Sequence, residues 1–178
     1  IARQEFAAVL ERSGRRSSSI VGPAEEVLDL WSKVSASWGP AREVRANQPV
    51  LAMRSNSLKA IDDDVRYSNH SDLEELIPAC IAMFTEEVGI SPTVNGGGNA
   101  YRNRISELVS GRRSFVKYLG TELVFKAEVG TVGAGVAQIQ GVWVKPEFRG
   151  RGISVPAMAA VVKLIMADLA PVASLYVN

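Results

Sequence analysis

Arg149, Gly150, Arg151 and Gly152 stand directly before the segment "SVPAMAAVVKLIMADL". The first turn of an α-helix presents unpaired N–H groups and about half a positive charge, so it attracts anions. Glycine lets an anion approach those N–H groups closely. A guanidinium grips two phosphate oxygens at once. Glycines alternating with arginines at a helix entrance therefore suit a pyrophosphate. Other phosphate motifs are excluded. A Walker loop, GxxxxGK[ST], does not occur in the chain. The dinucleotide fingerprint GxGxxG fails because Gly150-Arg151-Gly152 is followed by Ile153, Ser154 and Val155. The plain alternative is a basic turn before a surface helix. A disordered RNA-binding tail fits less well, because the motif occurs once and lies between apolar segments.

The elements that must position this loop are legible on both sides of it. Val142-Trp143-Val144 reads as the end of a strand and Lys145-Pro146-Glu147 as a turn. Beyond the loop, Val155, Met158, Ala159, Val162, Met166 and Leu169 mark one helix face, and "PVASLYVN" is a final strand. Upstream, "SFVKYL", "ELVFKAEVG" and "GVAQIQGVWV" are strands joined by Gly-rich turns, which predicts an antiparallel meander. Before them come a brief strand, "VRYSN", and a helix whose apolar residues run from Leu73 to Val88. Its expected start is a Ser71/Glu74 capping box and its stop is Gly89. "TVNGGGNA" reads as a flexible loop and "AYRNRISELVSG" as a shorter helix. From Val65 the order is thus β-α-α-β-β-β-α-β, with one crossover helix joining two parallel strands.

Motif and strand order together resemble the GNAT acyltransferase superfamily, over residues 65–178. The family's loop is Arg or Gln, two residues, Gly, one residue, then Gly or Ala; here it is Arg149, Gly152 and Ser154. Ser departs from the pattern but is small. The resemblance implies an α+β fold of three αβα layers around a mixed, mostly antiparallel sheet. It implies acetyl-CoA as acyl donor, with Val142, Trp143 and Val144 along the pantetheine arm and Arg149, Gly150, Arg151, Gly152, Ile153 and Ser154 around the pyrophosphate. The expected reaction is direct acetyl transfer to a primary amine of a small molecule or protein, with no metal. A non-catalytic acyl-CoA sensor is the alternative.

The catalytic groups are less legible. Some family members carry a Glu on the strand before the loop, and the matching position here is Gln138, which cannot accept a proton usefully. Glu128 is the nearest other carboxylate, and its ordinary reading is a solvent-facing strand residue. Glu86 and Glu87 lie in a last helical turn, where negative charge is mildly unfavourable. The resemblance places that segment beside the acceptor groove, where they would attract a cationic amine; their ordinary reading is an exposed charge pair. His70 has no assigned role, and Cys80 falls on an apolar helix face as core. Many family members use a Tyr on a helix after the last strand seen here. Tyr176 does not match it. A final helix and further strands are therefore expected to be missing, leaving "ASLYVN" at an open sheet edge.

Residues 1–64 read as a small N-terminal α/β accessory unit that resembles a poorly characterised domain preceding some actinobacterial GNAT domains; a degenerate GNAT-like half is the alternative, although the unit holds no Arg/Gln-x-x-Gly-x-Gly loop. "SSSIVGP" (17–23) is expected to be a strand. A helix should follow, from Pro23 to Gly39-Pro40, with Val27, Leu30, Trp31, Val34 and Trp38 on one face. "QPVLAMR" is a second strand, "SNSLKAIDDD" (55–64) a linker, and the basic "SGRRSSS" a solvated loop. The whole chain has 178 residues, 47% of them apolar, with Lys plus Arg (20) nearly matching Asp plus Glu (19). That balance argues against a nucleic-acid or membrane-surface protein. One Cys excludes an internal disulfide and suits a reducing, cytoplasmic location. The start has neither an initiator Met nor a secretory segment, so an upstream N-terminus is expected. A homodimer stays open.

Overall fold

The computed structural model describes residues 2–17, 19–56 and 59–177. Contacts divide the chain into two compact units. One runs up to Pro49 and takes in Val177; the other is Val50–Tyr176.

The first unit consists of two helices. Helix α1 is Ala2–Ser13 and α2 is Ala24–Trp38. Ala7, Leu30, Val34 and Trp38 are buried between them, with Leu10, Ile20 and Trp31 packed alongside. The indole N–H of Trp38 donates to the carbonyl of Leu10 (3.4 Å), tying the end of α2 to α1. The apolar face of α2 is the expected one, and the helix stops before Gly39-Pro40 as its punctuation requires. The strand expected at 17–23 is corrected. The described residues there are irregular, and Ser18 lies outside the described residues. Among the described residues no strand pairs with this segment, and Ile20 instead packs on the helices.

The second unit is a six-stranded sheet between helices. In chain order it contains β1 (Val50–Met53), β2 (Arg66–Tyr67), α3 (Leu73–Val88), α4 (Gly98–Ser110), β3 (Ser114–Leu119), β4 (Glu122–Gly133), β5 (Val136–Val144), α5 (Ser154–Asp168) and β6 (Val172–Tyr176). The spatial order is β1-β6-β5-β4-β3-β2. Only β5 and β6 pair in parallel, across the α5 crossover. The segment 65–177 thus follows the predicted order. The expected open edge at "ASLYVN" is corrected, since β1 runs antiparallel along β6, with Val50 opposite Tyr176 and Met53 opposite Ala173. The strand at Gln48–Arg54 was legible from its pattern, but its partner lies more than a hundred residues away and left no local signal. Within the 55–64 linker, Ser57 and Leu58 lie outside the described residues.

One sheet face packs on α5, burying Phe125, Ala127, Val129 and Ile139 against Ala157, Ala160, Val161 and Ile165. The other packs on α3 and α4, burying Val116, Leu123 and Trp143 against Leu76, Cys80, Met83, Ile105 and Leu108. Strand β4 is therefore covered on both faces, and Leu123 to Val129 are all buried.

The entrance to α3 differs in detail from the expected cap. Asn69, not Ser71, is the capping residue of a short 3₁₀ turn, His70–Asp72, that leads into the helix. Asn69 Oδ1 accepts from the Ser71 N–H (2.8 Å), and Asp72 Oδ2 accepts from the Asn69 N–H (2.8 Å). Asp72 is 5% exposed and also receives both arms of the Arg66 guanidinium, each at 2.7 Å. The Arg66 hydrogen bonds hold the Asp72 carboxyl below the usual carboxylate range. A carboxyl lowered by folding stabilises the fold above its ordinary value near pH 4 and loses that contribution as pH falls through the lowered one. Asp72→Asn is expected to destabilise the protein by about 1–2 kcal/mol at pH 7, discounted for the half-exposed guanidinium. In urea denaturation the gap to the wild type should close as the pH is lowered below about 4.

Candidate functional site

Between Lys126 and Glu128, β4 faces one residue too many on β5. Lys126 lies opposite Trp143, but Glu128 lies opposite Gln140. The extra residue makes a bulge at Gly141, whose φ of 57° lies in the left-handed region. A bulge bends its strand, and here β5 leaves its other neighbour. Its parallel register with β6 covers only Val136, Ala137 and Gln138. From Ile139 to Val144, the edge of β5 away from β4 pairs with no strand among the described residues. The backbone along Val142–Val144 is thus offered to a groove of about 360 Å³.

That groove runs into the Arg–Gly loop. Its wall includes Val142, Trp143 and Val144 from β5, Arg149, Gly150, Gly152, Ile153 and Ser154 from the loop, and Met83, Glu86 and Glu87 from α3. The expected loop and strand residues are therefore brought together, apart from Arg151, whose guanidinium lies over the Phe148 ring at 4.9 Å. Gly152 has φ 76°, and a Cβ there would meet nothing within 4 Å. Glycine is required there by backbone conformation, in addition to any close approach by a ligand. No side chain caps α5, so its first N–H groups face the loop without a protein acceptor from a cap.

Arg149 takes a different position from the expected one. Its Nε donates to the Val144 carbonyl (2.9 Å) and its Nη2 to Glu86 Oε2 (2.7 Å). It ties the end of β5 and the last turn of α3 to the start of the loop. Glu86 is therefore one half of an ion pair. Glu87 lines the groove beside it.

Glu128 is corrected outright, being 4% exposed and not solvent-facing. Its Oε1 accepts from Lys126 Nζ (2.7 Å) and from Cys80 Sγ (3.0 Å). Burial pulls the Lys126 ammonium down, but Glu128 and Cys80 beside it together outweigh that and hold the group above the usual lysine range. Burial pushes the Cys80 thiol up, and the Tyr101 phenol with it. Tyr101 donates to the Cys80 carbonyl (3.0 Å). A Cβ on Gly141 would stand 3.1 Å from Lys126 Nζ and 3.2 Å from both Glu128 Oε2 and Met83 Cε. The ion pair thus lies directly under the bulge. Sequence reasoning missed Lys126, Met83 and Phe148. The available signal was the Lys-x-Glu pair in an otherwise apolar strand, which needs pairing if both faces are covered.

The geometry defines a class. The mixed sheet, with a parallel pair that parts at a bulge above a glycine loop at a helix entrance, is similar in fold to solved GNAT acetyltransferases. The fold is similar to an acetyltransferase of the GNAT family from Colwellia psychrerythraea (TM-score 0.53, 12% identity), covering 74% of this chain and 46% of that one. It is also similar to a GCN5-related N-acetyltransferase from Ralstonia eutropha JMP134 (TM-score 0.51, 19% identity), covering 64% of this chain and 82% of that one. The chain thus spans less than half of the Colwellia protein. Residues 2–76 match a family described as a domain of unknown function, DUF4081. No curated protein matches the sequence. Among the described residues, no helix is long and apolar enough to cross a membrane.

Replacing Glu128 alone leaves a buried cation without its partner, whereas replacing both charges removes the problem. Glu128→Gln is expected to lower stability by about 3–5 kcal/mol. The double variant Lys126→Met/Glu128→Leu should lose far less, as read from chemical denaturation of each.

Proposed function

We propose that the second unit binds acetyl-CoA and transfers its acetyl group to a primary amine. The observation that carries this reading is the continuity of the groove. The unpaired edge of β5 leads within a few residues to the Gly150–Gly152 loop and the uncapped start of α5. An extended amide-bearing arm can hydrogen-bond along the edge while its pyrophosphate reaches the helix N-terminus.

In this reading the amine lone pair attacks the thioester carbonyl carbon, the carbonyl oxygen takes up negative charge, and the C–S bond then breaks. Backbone N–H groups around Val142 would stabilise that charge. The amine loses one proton, and the thiolate leaves with one. Direct transfer is favoured over relay through an enzyme thiol, because Cys80 is buried with its thiol held to Glu128 and its pKa raised. Glu87 is the carboxylate best placed to draw in a cationic amine, as Glu86 is engaged by Arg149. A non-catalytic acyl-CoA sensor is the second reading. It is favoured by Gln138 at the position of the family's strand carboxylate and by the engagement of both Glu86 and Glu128 in ion pairs. The helical unit up to Pro49 would be an accessory module in either case.

Calorimetric titration of acetyl-CoA is expected to give micromolar binding to the wild type and none to Gly152→Val. Circular dichroism should show that the variant keeps its fold, apart from strain at its left-handed position. Equal affinity of the two proteins would remove the pyrophosphate assignment. Arg149→Ala should weaken binding by about 1.5–3 kcal/mol if its guanidinium turns to the phosphates. If it acts by holding Val144, acetyl-pantetheine lacking the nucleotide should lose as much. Release of CoA from acetyl-CoA in the presence of amines separates the enzyme from the sensor.

A further inference from the structure

We propose that the indole N–H of Trp143 donates a hydrogen bond to a carbonyl oxygen of the acyl-pantetheine arm, an inference that rests on the donor-site reading above. Trp143 is 8% exposed, and its Nε1 is buried with no hydrogen-bond partner among the described residues. Buried N–H groups are paired in the great majority of cases, so an orphan of this kind needs an acceptor. Three other polar groups on this face find theirs, while Ser114 Oγ, opposite Glu128 in the ladder, is likewise without a partner among the described residues. Lys126 and Cys80 donate to Glu128, and Tyr101 donates to the Cys80 carbonyl.

The protein around the indole has little to offer it. Its packing partners include Leu76, Leu123 and Val116, which are apolar. The residue opposite it in the β-ladder is Lys126, whose ammonium has donors and no acceptor. Trp143 also lines the groove, between Val142 and Val144; its Nε1 is closed to the groove as the ring stands, so an acceptor in the groove reaches the N–H as the ring turns toward it. A neutral carbonyl suits the site better than a phosphate or carboxylate. The donor is a single uncharged N–H in an apolar wall, and Glu86 and Glu87 line the same groove. The donor's arm carries two kinds of neutral carbonyl, the amides of pantetheine and the acetyl thioester.

The test uses the whole chain labelled with ¹⁵N at its tryptophan indoles. The sequence has three, Trp31, Trp38 and Trp143, so each gives one signal. Titration with acetyl-CoA should move the Trp143 indole proton downfield, with the other two as references. Trp143→Phe keeps an aromatic ring and removes the N–H. Its affinity for acetyl-CoA should fall roughly threefold to tenfold, the scale of one neutral hydrogen bond. Titration with CoA then locates the acceptor. A loss confined to acetyl-CoA places the bond on the thioester carbonyl, and an equal loss for both ligands places it on an amide of the arm. The proposal is overturned if acetyl-CoA binds without moving the Trp143 signal, or if a folded Trp143→Phe binds as tightly as the wild type. The wild-type titration stands by itself should that variant fail to fold. If the wild type binds neither ligand, no signal moves at all and the donor-site reading falls with it.

Discussion

The separation of β5 from β6 is the constraint on which the rest of the second unit turns. The two strands share only three register pairs, Val136–Val172 to Gln138–Ser174. Past them β5 stays with β4, while β6 continues with β1. Parallel strands with parting ends leave backbone donors and acceptors unpaired in the middle of a sheet, where an ordinary fold would pair them. The split survives because each strand keeps a partner on its other side. It also depends on the one-residue bulge at Gly141, which turns the rest of β5 out of register with a flat sheet. Without that extra residue the side chains beyond it would exchange faces, and Trp143 would leave the α3/α4 core for the α5 side.

The bulge is held from below by charge. Lys126 and Glu128 fill the space where a side chain at position 141 would stand, and Met83 closes it from α3. A buried ion pair is poor evidence for stability, since apolar residues of similar volume often do as well or better. Its value here is local. A Cβ at 141 would press on the ends of both side chains, and glycine is what the left-handed backbone of the bulge requires. The same pair occupies both hydrogen-bonding roles that Cys80 and Lys126 would otherwise seek elsewhere. Trp143, directly opposite Lys126 in the ladder, is left without an acceptor for its indole N–H among the described residues.

The legibility of this chain follows from how local each signal was. The meander, the α5 crossover and the loop at Arg149–Ser154 carry their own punctuation, and each strand there pairs with a near neighbour in sequence. They were predictable for that reason. The pairing of β1 with β6 was not, because it joins residues more than a hundred positions apart in the chain. Glu128 illustrates a different failure. "FKAEV" alternates apolar and charged residues, the pattern of a half-exposed strand. The second face is covered by α3 and α4, and nothing within the strand itself reports that cover. The segment at 17–23 has a strand's composition, yet its described residues have no ladder partner among the described residues and are irregular. The cap of α3 failed by two residues, since Asn69 and Asp72 satisfy the same pattern as Ser71 and Glu74 and have Arg66 to reinforce it.

The position of Arg149 links the two sides of the groove. A carboxylate in the last turn of a helix faces the negative end of the helix dipole, and Glu86 is in that turn of α3. Arg149 offsets this charge while its Nε holds the final carbonyl of β5. Both partners are about half exposed, so the pair itself contributes little to stability. Its effect is geometric: the helix that walls the groove, the strand that runs along it and the loop that closes it share one guanidinium. The guanidinium thus stands between the carboxylate of the α3 wall and the loop.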